Sequence, residues 1–339
     1  MAVTGEGTAT DLHYAALPNA AVLSSHYDEE RMRSDLAQFA ARSGAVFSAS
    51  TGWRVLPLYS VAGDPYRTDS GGPSLSGFRR TPWLRHLPYF QEVLDSLPAP
   101  IRAARLWAVG PGGKELTLRG DKMGPPWGFC RLHLPIMSED QTHVMFVGER
   151  HSWSPGTLWF VAAWREYAIV NRSRSELVHL IIDLYHTDEL EALFPPGTQH
   201  LLTGTQSVRL RPQAVLRNPA RCKRRFWVPE TFANWDRPGL LLYAEAQRVR
   251  SARRRIFVPA EIRVTADTPV LYLAGRPFCS LEHVGDAEFR LRGWSDERTL
   301  QLTEKEDTPV ILCLREGTRT YRIELPANTT SPDAIVTGE

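Results

Sequence analysis

The chain has 339 residues, of which 42% are apolar and 23% charged, with a formal net charge of +2. That make-up belongs to a folded protein with a real core, long enough for one large domain or two ordinary ones. It excludes a polyelectrolyte, and no apolar run approaches the roughly 18 residues that a membrane-spanning helix needs.

The start, MAVTGEGTATD, carries no basic or apolar leader region. Cys130, Cys222, Cys279 and Cys313 are scattered and fit no zinc spacing and no disulfide framework. A reducing cytoplasm is therefore the expected compartment.

Residues 1–27 read as an irregular segment ending in a short strand. From Asp28 the spacing of Met32, Leu36, Phe39 and Ala40 predicts a helix. Residues 44–80 mix short apolar runs with the turn-rich AGDPYRTDSGGPSLSG. Pro88, Phe90, Val93, Leu94 and Leu97 predict a second helix over 88–97. From Ile101 to Leu184 the runs ARLWAV, KELTLRGD, CRLHLPI, THVMFVG, GTLWFV, EYAIVN and LVHLIID are short, β-branched or aromatic, and separated by turn residues. Many short strands of this kind predict a β-sandwich or jelly-roll barrel. A short helix at about 187–194, capped by Thr187 or Asp188, follows, and FPPGTQ then breaks the chain. Beyond about residue 205 the runs SVRLR, IFVPAEIRV, PVLYLAG, EFRLRG, RTLQLTE, PVILCL and RTYRIEL are again strand-like. They form either a second β-domain or an extension of the first. The polar tail ANTTSPDAIVTGE is expected to be disordered.

The candidate chemistry comes from polar residues inside these apolar strands. Side chains two apart on a strand share a face. Arg119 goes with Asp121, and Arg131 with His133. Tyr167, Ile169 and Asn171 form a third set, and Leu177, His179, Ile181 and Asp183 a fourth. In a barrel these sets would face one cavity.

Several of the segments together resemble the aspartyl/asparaginyl β-hydroxylase family, in particular its proline-hydroxylase branch. They are TPWLRHLPYFQEVLDSLPAPIRAARLWAVGPGG, CRLHLPI, GTLWF and YAIVNRSRSELVHLIIDL, in the family's order. The resemblance covers about residues 28–190. It implies a mainly β fold with peripheral helices, built on a double-stranded β-helix (a cupin-like jelly roll), with a C-terminal β-rich region added. The domains are then 28–194 for the jelly roll and 205–326 for the C-terminal region, flanked by 1–27 and the tail 327–339.

The family's activity implies Fe(II), O2 and 2-oxoglutarate, with iron held by His-X-Asp on one strand and a distal His on another. An Arg ten residues beyond the distal His binds a carboxylate of 2-oxoglutarate. Carried over, the first His position is Arg119, the Asp is Asp121, the distal His is Tyr167 and the Arg is Leu177. Arg131 and His133 keep the family's Arg-X-His pair. Arginine has no lone pair for iron, and leucine cannot bind a carboxylate. These losses point to a metal-independent, redox-neutral enzyme with no cofactor, of cyclase, isomerase or lyase type in specialised metabolism, acting on a small molecule. Arg119, Asp121, Tyr167 and His133 would be catalytic. Arg131, His179, Leu177, Trp127, Phe129, Trp159 and Trp164 would bind substrate.

Two other readings stand beside it. One is a surviving Fe(II)/2-oxoglutarate hydroxylase of an amino acid, free or carrier-bound, with His133, His151 or His179 replacing the lost imidazoles. The other is a non-catalytic binding module in which Arg119 and Asp121 form a structural ion pair.

Three further patterns call for a reading. Arg119-Gly120-Asp121 spells an adhesion tripeptide, which a cytoplasmic compartment argues against. Asn171-Arg-Ser and Asn328-Thr-Thr match the glycosylation pattern by chance. The segment from Arg217 to Arg255 has eleven Lys/Arg against three acids, interleaved with Phe226, Trp227, Phe232 and Trp235. It is a dock for an acidic carrier protein or, more simply, a solvated basic face with its aromatics in the core. A nucleic-acid surface is the weaker reading, since no recognised binding motif accompanies the charge.

Overall fold

The computed structural model describes residues 3–6, 17–43, 53–112, 114–118, 122–146, 148–202, 207–233, 257–303, 308–317 and 319–328. The chain divides into an N-terminal unit, Leu12–Gly71 with Phe78–Gln206, and a C-terminal unit, Met1–Asp11, Gly72–Gly77 and Ser207–Glu339. Arg119, Asp121, residues 234–256 and the tail from 329 onward lie outside the described residues.

In chain order β1 (Val3–Glu6) belongs to the C-terminal unit. The N-terminal unit holds β2 (Ala20–His26), α1 (Glu29–Ser43), β3 (Trp53–Val61), β4 (Phe78–Arg80), α2 (Pro88–Asp95), β5 (Ile101–Val109) and β6 (Lys114–Leu118). It continues with β7 (Phe129–Met137), β8 (Thr142–Phe146), β9 (Glu149–His151), β10 (Thr157–Val161), β11 (Tyr167–Asn171), β12 (Leu177–Tyr185), α3 (Asp188–Glu191) and α4 (Pro196–Leu202).

Asp28 starts α1 by accepting the backbone N–H groups of Glu30 and Arg31 through Oδ1, at 2.9 and 3.0 Å. Met32 and Phe39 then bury the apolar face, as the spacing predicts. Leu87, before α2, has no capping side chain. Asp35 of α1 supplies the cap instead, accepting from the N–H groups of Tyr89 and Phe90 at 2.7 and 3.3 Å. The helix–helix contact is thus fixed by one buried carboxylate.

All strand pairs are antiparallel. A seven-stranded sheet runs β2-β10-β7-β12-β5-β3-β4 and a four-stranded sheet runs β6-β11-β8-β9. They face each other as a double-stranded β-helix. Even-numbered residues of the large sheet (Ala104, Leu106 and Ala108 of β5; Leu132 and Leu134 of β7; Leu180 and Ile182 of β12) join the helices in one core. Their odd-numbered neighbours therefore face the space between the sheets. Pro57, inside β3, is tolerated because the register slips there, between Pro57 and Tyr59.

Several local expectations are corrected. FPPGTQ opens α4: Pro196 sits at its first position, and the carbonyl of Pro195 accepts from Thr198 and Gln199 at 2.8 and 2.9 Å. GERHSW contributes β9, and the unassigned stretch before the turn-rich loop contributes β3. SVRLR is not a strand, because its Arg211 side chain, not a backbone ladder, holds it. Arg211 pairs with Glu288 at 2.8 Å and with Asp296 at 2.9 Å.

The C-terminal unit adds β13 (Arg224–Pro229), β14 (Phe257–Thr265), β15 (Thr268–Leu273), β16 (Arg276–Gly285), β17 (Glu288–Leu291), β18 (Arg298–Gln301), β19 (Val310–Glu316) and β20 (Arg319–Leu325). These eight form an antiparallel meander, with β1 added beside β20. Phe226 bridges Ala327, and the Trp227 N–H donates to the Pro326 carbonyl at 2.9 Å, so first and last strands meet. Phe226, Ile262, Leu271, Leu281, Phe289, Leu300 and Leu312 are buried along matching registers and fill one face. Phe226 and Phe232 of the basic segment are thus core residues, and Arg224 is buried against the carbonyls of Arg221, Lys223 and Thr303.

Candidate active site

Registers place the candidate side chains in rows across the large sheet. One row holds Arg105 of β5, Ile181 of β12, His133 of β7 and Trp159 of β10. The next holds Asp183, Arg131 and Val161. His179, two residues before Ile181, lies beside Trp107. Across the gap, β11 presents Tyr167 next to Phe146 of β8.

The rings of these residues pack together. Tyr167 stacks on Phe146 with centroids 5.4 Å apart and meets His133 edge-on at 6.0 Å. His133 and His179 approach through their Nδ1 atoms at 3.4 Å, so one of them donates to the other. Trp153, from the turn after β9, lies against His133 at 5.6 Å and between His179 and Trp159. His133, His179, Tyr167 and Trp153 are all buried.

Burial holds His133 well below the usual imidazole range, helped by His179 and Arg131, and burial lowers His179 to about 3. Both rings are neutral at pH 7. The adjacent row carries charge. Asp183 accepts from Arg131 through Nε at 2.7 Å and Nη2 at 3.1 Å, and from Arg105 Nη1 at 3.0 Å. Burial would raise its carboxyl, but Arg131 and Arg105, with Arg102 adding a smaller effect, outweigh that and hold it well below the ordinary carboxylate range. One carboxylate shared by two guanidiniums fixes both and leaves positive charge beside His133.

The structure therefore brings Arg131, His133, His179, Tyr167 and Trp159 into one cluster. Leu177 is buried at the head of β12, two residues from His179. Phe129 lies further along β7, tilted on Tyr185 at 5.5 Å and under the Arg102 guanidinium at 4.7 Å. Trp127 and Trp164 pack on each other at 6.2 Å, and Trp164 reaches Phe160 at 6.0 Å. Phe160 belongs to the helix-covered core, so Trp164 is a core residue and not a wall of the cluster. His151 rests edge-on against Phe146 at 5.7 Å and bonds Glu149 at 3.1 Å; Trp153 stands between it and His179. Asn171 is buried and bonds the carbonyls of Val109, Gly110 and Ser175, which makes it a loop anchor.

Arg105, Phe146 and Trp153 were not among the expected site residues. A charged residue in an apolar strand is the signal that selects Arg131, and it would have selected Arg105 as well. Trp153 follows no strand period, so no sequence rule points to it. On the opposite face of β7, Cys130 Sγ lies 3.3 Å from His186 Nδ1, and His186 Nε2 lies 2.8 Å from Glu191. This has the outline of a nucleophilic triad. All three groups are buried, however, and burial pushes the Cys130 thiol well up, so it ties the end of β12 to α3 rather than attacking a substrate.

A metal of the family's kind needs two imidazoles and a carboxylate. On the carry-over made from the sequence, Arg119 and Tyr167 stand at both imidazole positions, and the Tyr167 ring stacks on Phe146. Among the described residues no three His, Cys, Asp or Glu side chains group as metal ligands. A donor set carried over in this way does not match iron held in the family's manner.

The fold is mainly β with peripheral helices, built on a double-stranded β-helix. The profile of the aspartyl/asparaginyl beta-hydroxylase family matches residues 13–187, and the chain belongs to that enzyme family. No curated protein sequence matches it. Among solved structures it is similar to a 2OG-Fe(II) oxygenase family oxidoreductase from Burkholderia pseudomallei, at 13% identity over 50% of this chain and 85% of that one, with a TM-score of 0.34. It is also similar to a Pseudomonas putida prolyl-4-hydroxylase, at 11% identity over 51% and 95%, with a TM-score of 0.30. A viral collagen prolyl hydroxylase from Paramecium Bursaria Chlorella virus-1 aligns at 9% identity over 50% and 97%, with a TM-score of 0.28. Among the described residues no helix is long and apolar enough to cross a membrane.

Proposed function

We propose that the protein is a metal-independent, redox-neutral enzyme of cyclase, isomerase or lyase type, acting on a small organic molecule between the two sheets. The observation that carries this reading is Tyr167. It stands at the family's distal iron-ligand position, stacked on Phe146 and edge-on to His133. Leu177 stands where the family's co-substrate is anchored.

His133 is the base of this scheme. A neutral imidazole whose Nδ1–H is given to His179 keeps a lone pair on Nε2, and that atom is buried with no partner among the described residues. Arg131, oriented by Asp183, lends positive charge to an anion forming beside His133. Tyr167, with Asp121 and Arg119, completes the acid–base set. A proton taken from one carbon and returned at another changes no oxidation state.

Membership of a hydroxylase family favours one competing reading, an Fe(II)/2-oxoglutarate hydroxylase with displaced ligands. The purified chain, incubated with Fe(II) and 2-oxoglutarate, distinguishes the two. The expected result is substoichiometric iron after desalting and no succinate. Stoichiometric iron with succinate release would overturn the proposal.

A further inference from the structure

Trp153 is held on both faces. Its ring lies 5.1 Å from Trp159 at an interplanar angle of 19°, and 5.9 Å from His179 at 28°. It is 3% exposed. Stacked on two sides, the indole cannot turn, and its N–H edge is the part left to act. That N–H has no acceptor among the described residues, and neither has the neighbouring buried Nε1–H of Trp159.

Two other indoles of the chain have acceptors within the protein. Trp294 donates to Glu297 at 2.7 Å, and Trp83 to the Pro65 carbonyl at 2.9 Å. A buried indole normally finds such a partner, and leaving one unmet is costly. Two unmet indoles stacked on each other therefore mark a place built for something else. Apart from the His133 Nε2 lone pair, the base of the scheme above, the neighbouring acceptors on Asp183 and the two histidines are already used. Both oxygens of Asp183 are taken by Arg131 and Arg105, and the two facing Nδ1 atoms of His133 and His179 share one proton. Arg105 Nε is a third buried donor without an acceptor among the described residues. The space is rich in donors and poor in acceptors.

From this we infer that Trp153 and Trp159 form a two-donor site for the oxygen of a carbonyl or carboxylate group on the molecule bound between the sheets. The inference rests on the reading above that a small organic molecule occupies that space. Neutral indole donors suit a C=O oxygen better than a phosphate, whose charge calls for free cations, and here the nearest guanidiniums are tied to Asp183. When His133 Nε2 takes a proton from the carbon beside that carbonyl, the C–H electron pair forms a C=C bond, the C=O π pair moves to the oxygen, and the oxygen becomes that of an enolate. The indole N–H groups then hold it.

The test is NMR of the full chain with 15N-labelled tryptophan. Trp153→Phe and Trp159→Phe, which keep a ring and remove the donor, identify the two indole signals. Acetophenone, benzoate and ethylbenzene are the probes. Acetophenone or benzoate should move both signals downfield and ethylbenzene should not. Each variant should weaken the oxygen-bearing probe by about 5-fold, the loss of one hydrogen bond. A response to benzoate alone assigns a carboxylate; a response to acetophenone as well assigns a carbonyl in general. Signals unmoved by either, or moved equally by ethylbenzene, overturn the site. Should one variant fail to fold, the other still identifies its own signal in the wild-type titration. The iron and succinate assay is read separately. Responsive indoles in a protein that turns over 2-oxoglutarate would overturn the proposed reaction and leave this site standing. Unresponsive indoles in a protein without that turnover would overturn the site alone.

Discussion

His179 and His133 are buried as neutral rings, and that makes them acid sensors for stability. In the unfolded chain each titrates near 6.5. In the fold burial lowers His179 to about 3, and His133 also lies well below the usual range. Between those limits the unfolded state binds more protons, so stability falls as pH falls from about 6.5, by roughly 1.4 kcal/mol per pH unit for each ring. Asp183 acts in the same direction lower down, since its carboxyl is held below its unfolded value and its contribution fades as pH drops below about 4. Urea midpoints should therefore decline steadily from pH 7 to pH 4, and His179→Phe should make the decline shallower. An unchanged slope in that variant would mean that His179 does not titrate on unfolding. Asp183→Asn tests the charged row, because it leaves Arg131 and Arg105 buried without their shared carboxylate. A loss of about 3–5 kcal/mol in urea unfolding is expected, and a loss under 1 kcal/mol would mean that water or another group carries the charge.

At the scale of elements, the two-residue period of β5, β7 and β12 explains why the same strands serve core and site. Leu132 and Leu134 turn to the helices while Arg131 and His133 turn inward. Any one-residue slip would exchange the two sets, so the apolar core fixes the register that the site uses. The GTLWF motif has a backbone reason for its glycine. Gly156 has φ +79°, and its carbonyl accepts from the Tyr27 N–H at 2.8 Å. A β-carbon there would collide with the Tyr27 carbonyl oxygen. Gly156→Ala should cost about 2 kcal/mol or more, seen as a lowered melting temperature, and a neutral result would show that this turn relaxes freely.

For the whole molecule, the chain leaves the N-terminal unit at Gly71 and returns at Phe78. In between, the Ser74 N–H donates to the Arg292 carbonyl at 2.9 Å, and Ser280 Oγ donates to the Leu75 carbonyl at 3.0 Å. Residues 72–77 thus depend on strands that lie far later in sequence. A chain ending at Gln206 should be cut by protease within 72–77 under conditions that spare the full chain. Mass spectrometry of the fragments checks this, and equal resistance would show that the segment is ordered without those partners.

The sequence by itself determined the jelly roll, α1 and α2, and the pairing of Arg131 with His133 and of His179 with Asp183, because strand and helix periods are local properties of side-chain spacing. It also offered Tyr167 and Leu177 as departures from the family's iron and co-substrate positions, a reading made from residue identity at motif positions alone. Tertiary structure decided what stands beside what. Arg105 reaches Asp183 from 78 residues away, and Trp153 wedges between His179 and Trp159. Trp164, which the sequence offered as a pocket wall, joins the core through Phe160. Such contacts depend on register and on loop placement, which are set by the packing of whole sheets and leave no period in the sequence.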